Sequence, residues 1–262
     1  MSERGRATGL SITYDLIARL EGAGIEFMLG WLGRLDFVRL ERFGAAVAAV
    51  CPERPDLDFV NTVYGLTPAD AGRVEAILAL YREHRLRPWL EVPPAPGFER
   101  LGEALAAVRA QAGGFLAMLF GPPEAAEPEL PVREIGPDEA ERFALTLLRG
   151  HEAPESDTAA VAHGYSLPGL RRYLVELDGE PAAAAALARA GELAYLANAS
   201  TVPAFRGRGC QTALIRRRIL DAAAAGCTLV CCQTALASPS QRNLERAGLR
   251  VAYVKTVWRG PK

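Results

Sequence analysis

The sequence predicts an α/β (α+β) fold of two similar mixed-sheet domains, each a central sheet flanked by helices. Predicted strands and helices alternate along the chain, an order that requires a sheet with crossover connections. A segment rich in proline and glutamate divides the 262 residues nearly in half, and the same order of elements occurs on both sides of it. Half of all residues are hydrophobic, which is enough to give each half a buried core.

The first predicted domain, residues 1–121, contains strands and helices in alternation. The motif Thr67-Pro68-Ala69-Asp70 follows its first strand and should start a helix, because threonine caps helices and proline suits their first turn. The predicted elements are a strand over 57–66, a helix through His84, a strand over 88–92, a helix over 98–111 and a strand over 116–120.

The predicted linker covers residues 122–130, where prolines interrupt regular structure and glutamates keep the chain solvated. The second domain, residues 131–262, repeats the order of the first, which indicates a duplicated unit. Its predicted elements are a strand over 193–202, a glycine-containing turn, a helix over 211–225, a strand over 228–233, a short helix through Arg246 and a strand over 251–258.

Composition excludes several classes of function. The net charge of −1 argues against a general nucleic-acid or anionic-membrane binder, including an arginine-rich nucleic-acid adaptor. The run Arg216-Arg217-Arg218 is interpreted as a solvated helix face. Five cysteines and three histidines show neither a disulfide framework nor metal-ligand spacing, so we expect no metal. With no apolar signal segment or spanning stretch, the sequence predicts a cytoplasmic protein.

The turn that follows the predicted strand 193–202 has the features of a phosphate-binding loop. Gly207 and Gly209 permit a tight turn that brings backbone N–H groups to an anion at the positive end of the following helix. No Gly-Lys-Ser/Thr is present, which excludes a Walker loop. A Rossmann fingerprint would require a third glycine where Thr212 stands.

The stretch Arg206-Gly207-Arg208-Gly209-Cys210-Gln211 resembles the Arg/Gln-x-x-Gly-x-Gly/Ala pyrophosphate loop of the GNAT family, the Gcn5-related N-acetyltransferases. The resemblance covers residues 131–260, and Gln211 departs from the family's small residue. That side chain either crowds the pyrophosphate or points away from it. The first half, with Asp70 at its corresponding turn, resembles a degenerate GNAT copy that binds no cofactor.

The resemblance implies that acetyl-CoA is the co-substrate and that its acetyl group passes directly to an amine in a ternary complex. The acceptor would be a small-molecule or peptide amine, and the sequence leaves open whether the chain forms a homodimer. The resemblance assigns cofactor binding to Ser200, Thr201, Val202, Arg206, Gly207, Arg208, Gly209, Cys210, Gln211, Thr212 and Asn243, with Ser238 and Ser240 as alternatives to Asn243.

The catalytic groups are left open by the sequence. Many GNAT proteins protonate the leaving thiolate with a tyrosine whose position is occupied here by Leu244, so the candidates are Tyr253, a bound water or solvent. Glu192 is the one carboxylate close to the strand before the turn, and it follows Gly191 in a predicted hairpin turn. Acceptor contacts are expected from the loop-rich residues 151–173. Because both acid and base are missing, the alternative is a non-catalytic acyl-CoA-binding or sensor module.

Overall fold

The computed structural model describes residues 11–261. Over this range the chain forms helices and strands in a mixed α/β arrangement, which confirms the predicted fold class. The helices are α1 (Tyr14–Leu32), α2 (Val74–Glu83), α3 (Phe98–Ala107), α4 (Ala140–His151), α5 (Thr158–Gly164), α6 (Cys210–Ala224) and α7 (Pro239–Arg246). The strands are β1 (Arg39–Phe43), β2 (Ala46–Val50), β3 (Thr62–Tyr64), β4 (Trp89–Val92), β5 (Gln111–Gly121), β6 (Arg133–Ile135), β7 (Arg171–Leu177), β8 (Glu180–Ala190), β9 (Leu193–Tyr195), β10 (Ala199–Thr201), β11 (Leu229–Ala235) and β12 (Arg250–Arg259).

The chain divides into two compact units. The N-terminal unit consists of Ile12–Met118 together with Ala252–Lys262, and the C-terminal unit includes Leu119–Val251. The N-terminal unit therefore takes most of β12, which lies more than 100 residues beyond the rest of it in sequence. The predicted domain boundaries at 121 and 131 stay a prediction.

The N-terminal unit is built on a mixed sheet in the order β1-β2-β3-β4-β12. Only β3 and β4 run parallel, whereas the other neighbours are antiparallel. Helices α2 and α3 bury their apolar faces in the same core as this sheet, with Ile77, Tyr81 and Leu101 fully enclosed. Such burial of apolar area supplies the main driving force for folding.

The predicted strand over 57–66 is wrong in its first half. A 3-10 turn over Asp58–Val60 precedes the short strand β3. The cause is Asn61, whose Oδ1 accepts from the Cys51 backbone N–H at 2.9 Å and whose Nδ2 donates to the carbonyls of Arg54 and Leu57. Local side-chain bonds of this kind favour turns over strands.

A buried ionic group connects α1 to strands β4 and β12 in the N-terminal unit. The Lys255 ammonium lies 3.0 Å from a Glu21 oxygen and 2.5 Å from a Glu91 oxygen, and only 2% of its side chain is exposed. The Tyr253 hydroxyl donates to the other Glu21 oxygen. The two carboxylates raise the pKa of Lys255 although burial opposes this, so the ammonium stays charged.

The C-terminal unit contains a sheet in the order β11-β9-β8-β7-β6, with β10 paired to β8. Strand β9 runs parallel to β11, and the remaining neighbours are antiparallel. The alanine run of β8, from Ala182 to Ala186, is fully buried, and α4 and α6 both pack on this strand. Small side chains allow helices to approach a sheet closely. The predicted helix 211–225 and strands 228–233 and 251–258 correspond to α6, β11 and β12 within two residues.

The predicted strand over 193–202 is interrupted at residues 196–198. The interruption separates β9 from β10, and the buried Arg218 of α6 lies beside it. Its Nη1 donates to the carbonyls of Ala186 and Ala197 at 2.9 and 3.0 Å, and its Nε donates to Leu214 O at 3.0 Å. The interpretation of Arg218 as part of a solvated face is therefore wrong, because Arg218 follows Leu214 by one helical turn on the buried side.

Replacing Arg218 should destabilise the protein more than replacing its helical neighbour Arg216. The change Arg218→Met removes a buried donor to the Ala186, Ala197 and Leu214 carbonyls, and we expect it to lower the free energy of unfolding by about 2 to 4 kcal/mol. The Arg216 guanidinium pairs instead with the largely exposed Glu129 at 2.9 Å, so Arg216→Met should cost less than about 1 kcal/mol. Urea unfolding measures both, and equal losses would contradict the structural role of Arg218.

Candidate active site

The predicted phosphate turn joins β10 to α6 in the C-terminal unit. Gly207 and Gly209 have φ values of +79° and +85°, which only glycine adopts readily. Helix α6 begins at Cys210, and its first helical hydrogen bond runs from Ala213 N to Gly209 O at 3.0 Å. The N–H groups of residues 210–212 precede that bond, so they lack partners within the helix. This is the geometry in which a helix start binds an anion.

The two arginines of the turn have different environments. The Arg206 guanidinium donates to the Gly150 carbonyl at 3.0 Å and pairs with a Glu152 oxygen at 2.8 Å, so it fastens the end of α4 to the turn. The Arg208 guanidinium pairs with the exposed Asp178 at 2.8 Å. Only Arg206 of the two lines the cavity described next.

A cavity of about 620 Å³, here called the outer cavity, opens beside the turn. It is bounded by the end of α4, strand β10, the turn, the start of α6 and α7. The predicted cofactor-binding residues Val202 and Arg208 do not line it. The predicted residues that do line it are Ser200, Thr201, Arg206, Gly207, Gly209, Cys210, Gln211, Thr212 and Asn243.

The Gln211 side chain connects α6 to α7. Its Nε2 donates to Ser240 Oγ at 3.2 Å, and its Oε1 accepts from Asn243 Nδ2. The side chain that departs from the family pattern is therefore held by α7. The same hydrogen bond holds the Asn243 side chain. Ser238 caps α7, because its Oγ accepts from the backbone N–H of Gln241 at 3.1 Å.

A second cavity of about 260 Å³, here called the inner cavity, adjoins the outer one. It lies where β10 diverges from β11. Strand β9 pairs with β11, and Leu196 N, just after β9, still donates to Cys231 O at 2.8 Å. Strand β10, which follows, pairs with β8 instead. Its walls include Asn198, Cys232 and Thr234. Burial raises the pKa of the Cys232 thiol to about 11, so this group is protonated near neutral pH.

The two candidate acid–base residues from the sequence, Tyr253 and Glu192, line neither cavity. The position of the tyrosine found in many GNAT proteins is occupied here by a leucine. Leu244 lines the inner cavity. Tyr253 belongs to the N-terminal unit, where its hydroxyl is bonded to Glu21. Glu192 lies in the turn between β8 and β9, as predicted, and lines neither cavity. Tyr165 is buried with its hydroxyl accepting from Asn198 Nδ2, and burial raises its pKa.

The predicted acceptor segment, residues 151–173, contains helix α5 in place of a continuous loop. Its first residue, His151, lines both cavities. No other titratable residue of this segment lines either of them. Partial removal from solvent and the positive charge of Arg206 lower the pKa of the His151 imidazole. The sequence predicted His151 as the first residue of the acceptor segment and assigned it no role of its own, because nothing in its local sequence indicates its place at the end of α4.

Residues 11–261 contain neither a candidate metal site nor a helix that could span a membrane. No cluster of three or more histidine, cysteine, aspartate or glutamate side chains there has the arrangement of a metal site. Within the same range, every helix is too short or too polar to cross a membrane.

A protein-family model matches the segment that contains most of this site. A sequence model described as the acetyltransferase (GNAT) domain matches residues 138–232, which include β10, the phosphate turn, all of α6 and the first part of β11. No curated protein matches the chain by sequence.

Solved structures of GNAT proteins share the fold over nearly the whole chain. A GCN5-related N-acetyltransferase from Kribbella flavida has a TM-score of 0.66 at 18% identity, covering 94% of this chain and 96% of that one. A tandem GNAT protein from the clavulanic acid biosynthesis pathway has a TM-score of 0.59 at 18% identity, with 97% and 98% covered. A GNAT-family acetyltransferase from Colwellia psychrerythraea has a TM-score of 0.57 at 14% identity, with 97% and 98% covered. Residues 138–232 therefore match the GNAT acetyltransferase domain, and the chain has the mixed α/β fold of these GNAT proteins.

Proposed function

We propose that the protein transfers an acetyl group from acetyl-CoA to the amine of a small-molecule or peptide acceptor by direct attack in a ternary complex. The observation that carries the proposal is the continuity of the site. The phosphate turn opens into the outer cavity, and the outer cavity leads into the gap between β10 and β11. We further propose the cytoplasm as its location, since all five cysteines are unpaired.

The residues of the turn supply the binding contacts in this proposal. The N–H groups at the start of α6 and the Arg206 guanidinium would hold the pyrophosphate. Strand β10 pairs with β8 on one edge, and the pantetheine arm would bind along its other edge as an added strand, next to the contact of Arg206 Nε with the Thr201 carbonyl at 3.3 Å. Holding the thioester in this gap supplies the proximity and the backbone N–H donors that acyl transfer to an amine requires.

Thiol release in the presence of a panel of amines tests the proposal. Acetyl-CoA-dependent release of free thiol with at least one amine is the expected result. The alternative, a non-catalytic acyl-CoA-binding or sensor module, is favoured by the presence of Leu244 where the family's tyrosine would stand. Binding of acetyl-CoA without thiol release from any amine would support that alternative.

The change Gly209→Val should weaken CoA binding strongly. A β-branched residue at a φ of +85° is strained by about 1 to 2 kcal/mol, and relief of that strain would displace the N–H groups of the turn. We expect the affinity for CoA, measured by calorimetry, to fall by about tenfold or more, equivalent to about 1.4 kcal/mol.

A matched control is Gly226→Val, which introduces the same strain at a φ of +76° beyond the end of α6 and away from the cavities. It should lower stability without changing CoA affinity. Unchanged affinity in a folded Gly209→Val protein would contradict the assignment of the turn.

The full chain should bind one equivalent of CoA. In the N-terminal unit a 3-10 helix over Pro68–Arg73 leads into α2. At its start, the buried Asp70 carboxylate accepts from Thr67 N at 3.1 Å and from Thr67 Oγ1 at 2.7 Å. An internal anion thus occupies the position that a phosphate would need, and it would repel one. Calorimetry should give a stoichiometry of one for the wild-type chain. If the Gly209→Val protein still bound one equivalent of CoA with unchanged affinity while the wild type bound two, a second CoA site would exist. That result would contradict the proposal that the N-terminal copy is degenerate.

The change Tyr253→Phe should affect stability and leave turnover unchanged. Removing the hydroxyl deprives the buried Glu21 carboxylate of one donor, which should lower the free energy of unfolding by about 1 to 3 kcal/mol. If Tyr253 instead protonated the thiolate, turnover would fall by about 10² to 10⁴. Steady-state kinetics on the folded variant decides between water and Tyr253 as the proton donor.

A further inference from the structure

Acyl transfer to an amine requires a group that removes a proton from the incoming ammonium. The side chains that line the inner cavity include four with titratable groups, namely His151, Tyr195, Arg218 and Cys232. A guanidinium and a phenol are protonated near neutral pH, so neither accepts a proton there. The Cys232 thiol is also protonated, because burial raises its pKa to about 11. His151 is the remaining group of this set that can act as a base.

The backbone around His151 is held firmly by its neighbours. Ser200 Oγ of β10 donates to the Leu147 carbonyl at 3.0 Å, one turn before His151, and Arg206 Nη2 donates to the Gly150 carbonyl at 3.0 Å. Gly150 lies so close to β10 that a Cβ there would be 2.3 Å from Ser200 Oγ. These contacts fix the end of α4 against the strand that precedes the phosphate turn.

His151 is one of the residues shared by the walls of the two cavities. His151, Ala199 and Gln211 line both the outer cavity beside the turn and the inner cavity in the strand gap. A thioester that reaches from the turn into the gap must pass these shared residues. An acceptor amine that approaches the thioester carbonyl would therefore come within reach of the histidine.

Charged groups around His151 favour its neutral form. Arg206 approaches from the turn and is itself paired with Glu152, which adjoins His151 in sequence. Arg218 of α6 and the Cys232 thiol of β11 lie on the walls of the inner cavity. His151 is exposed at the cavity wall, but the protein atoms around the imidazole and the Arg206 charge lower its pKa, so it is unprotonated at neutral pH and available as a proton acceptor.

We propose that His151 is the general base of the acyl transfer, an inference that rests on the proposed function. The neutral imidazole takes one proton from the acceptor ammonium and later releases it to solvent. The amine nitrogen lone pair then forms a C–N bond at the thioester carbonyl, the C–S bond breaks, and the electron pair leaves with the CoA sulfur. The second proton of the nitrogen passes to that thiolate, which gives the amide and free CoA.

The pH dependence of kcat/KM for a primary aliphatic amine, compared between wild type and His151→Gln, tests the assignment. In the wild type, kcat/KM should rise with an apparent pKa below the ordinary histidine value of about 6.5 and then stay level toward neutral pH. In His151→Gln it should follow the fraction of free amine and rise toward the amine's own pKa. We expect a loss of about 10² to 10⁴ at pH 7 that shrinks as pH increases, with CoA affinity within about twofold of wild type.

His84→Gln is the matched control, because His84 ends α2 in the N-terminal unit. Its pH profile should coincide with that of the wild type. A His151→Gln profile of unchanged shape, or a loss equal at every pH, would overturn the assignment while the proposed function stands. If the wild type releases no thiol with any amine at any pH, the proposed function fails and the base assignment fails with it.

Discussion

The buried Arg218 guanidinium determines the shape of the site. Arg218 Nη1 donates to the carbonyls of Ala186 and Ala197 at 3.0 Å or less, and the Ala197 carbonyl also accepts from Ala186 N at 3.2 Å. Because these groups are satisfied from α6, the strand can break between β9 and β10 without leaving buried acceptors unpaired. No carboxylate pairs with Arg218 within residues 11–261, and burial lowers its pKa to about 10, which still leaves it charged at neutral pH. Arg218 therefore stabilises the strand interruption beside the inner cavity, and it also forms part of the wall of that cavity.

The two units use the same feature, the start of a helix after a strand, in opposite ways. In the C-terminal unit, two glycines with positive φ leave the first N–H groups of α6 without internal partners beside a cavity of about 620 Å³. In the N-terminal unit, Thr67 and Asp70 satisfy the corresponding donors internally through a capping box. A helix start favours a negative charge in both cases. The difference is whether that charge is a side chain of the protein or must come from a ligand.

Local features could be predicted from the sequence and distant contacts could not. The turn at Gly207 and Gly209 and the start of α6 were predicted correctly, because glycine placement and helix initiation depend on neighbouring residues. The strand over 57–66 failed because Asn61 bonds to Cys51, ten residues earlier. Arg218 was assigned to a solvated face because it is charged and lies in a run of three arginines. Its spacing of four residues from the buried Leu214 would have placed it on the buried side of α6. The role of His151 follows from the packing of α4 on β10, a contact across about fifty residues that no local pattern records.

The absence of the family's tyrosine has a simple consequence for the proton balance. Transfer of an acetyl group from a thioester to an ammonium yields an amide, a thiol and one proton. Of the two protons that nitrogen loses, one can reach the thiolate and the other needs an acceptor. A site with Leu244 beside the inner cavity can therefore complete the reaction with water carrying the proton to sulfur, provided that a base removes the first one. The group that such a site cannot lack is the base, and His151, neutral and on the walls of both cavities, meets that requirement.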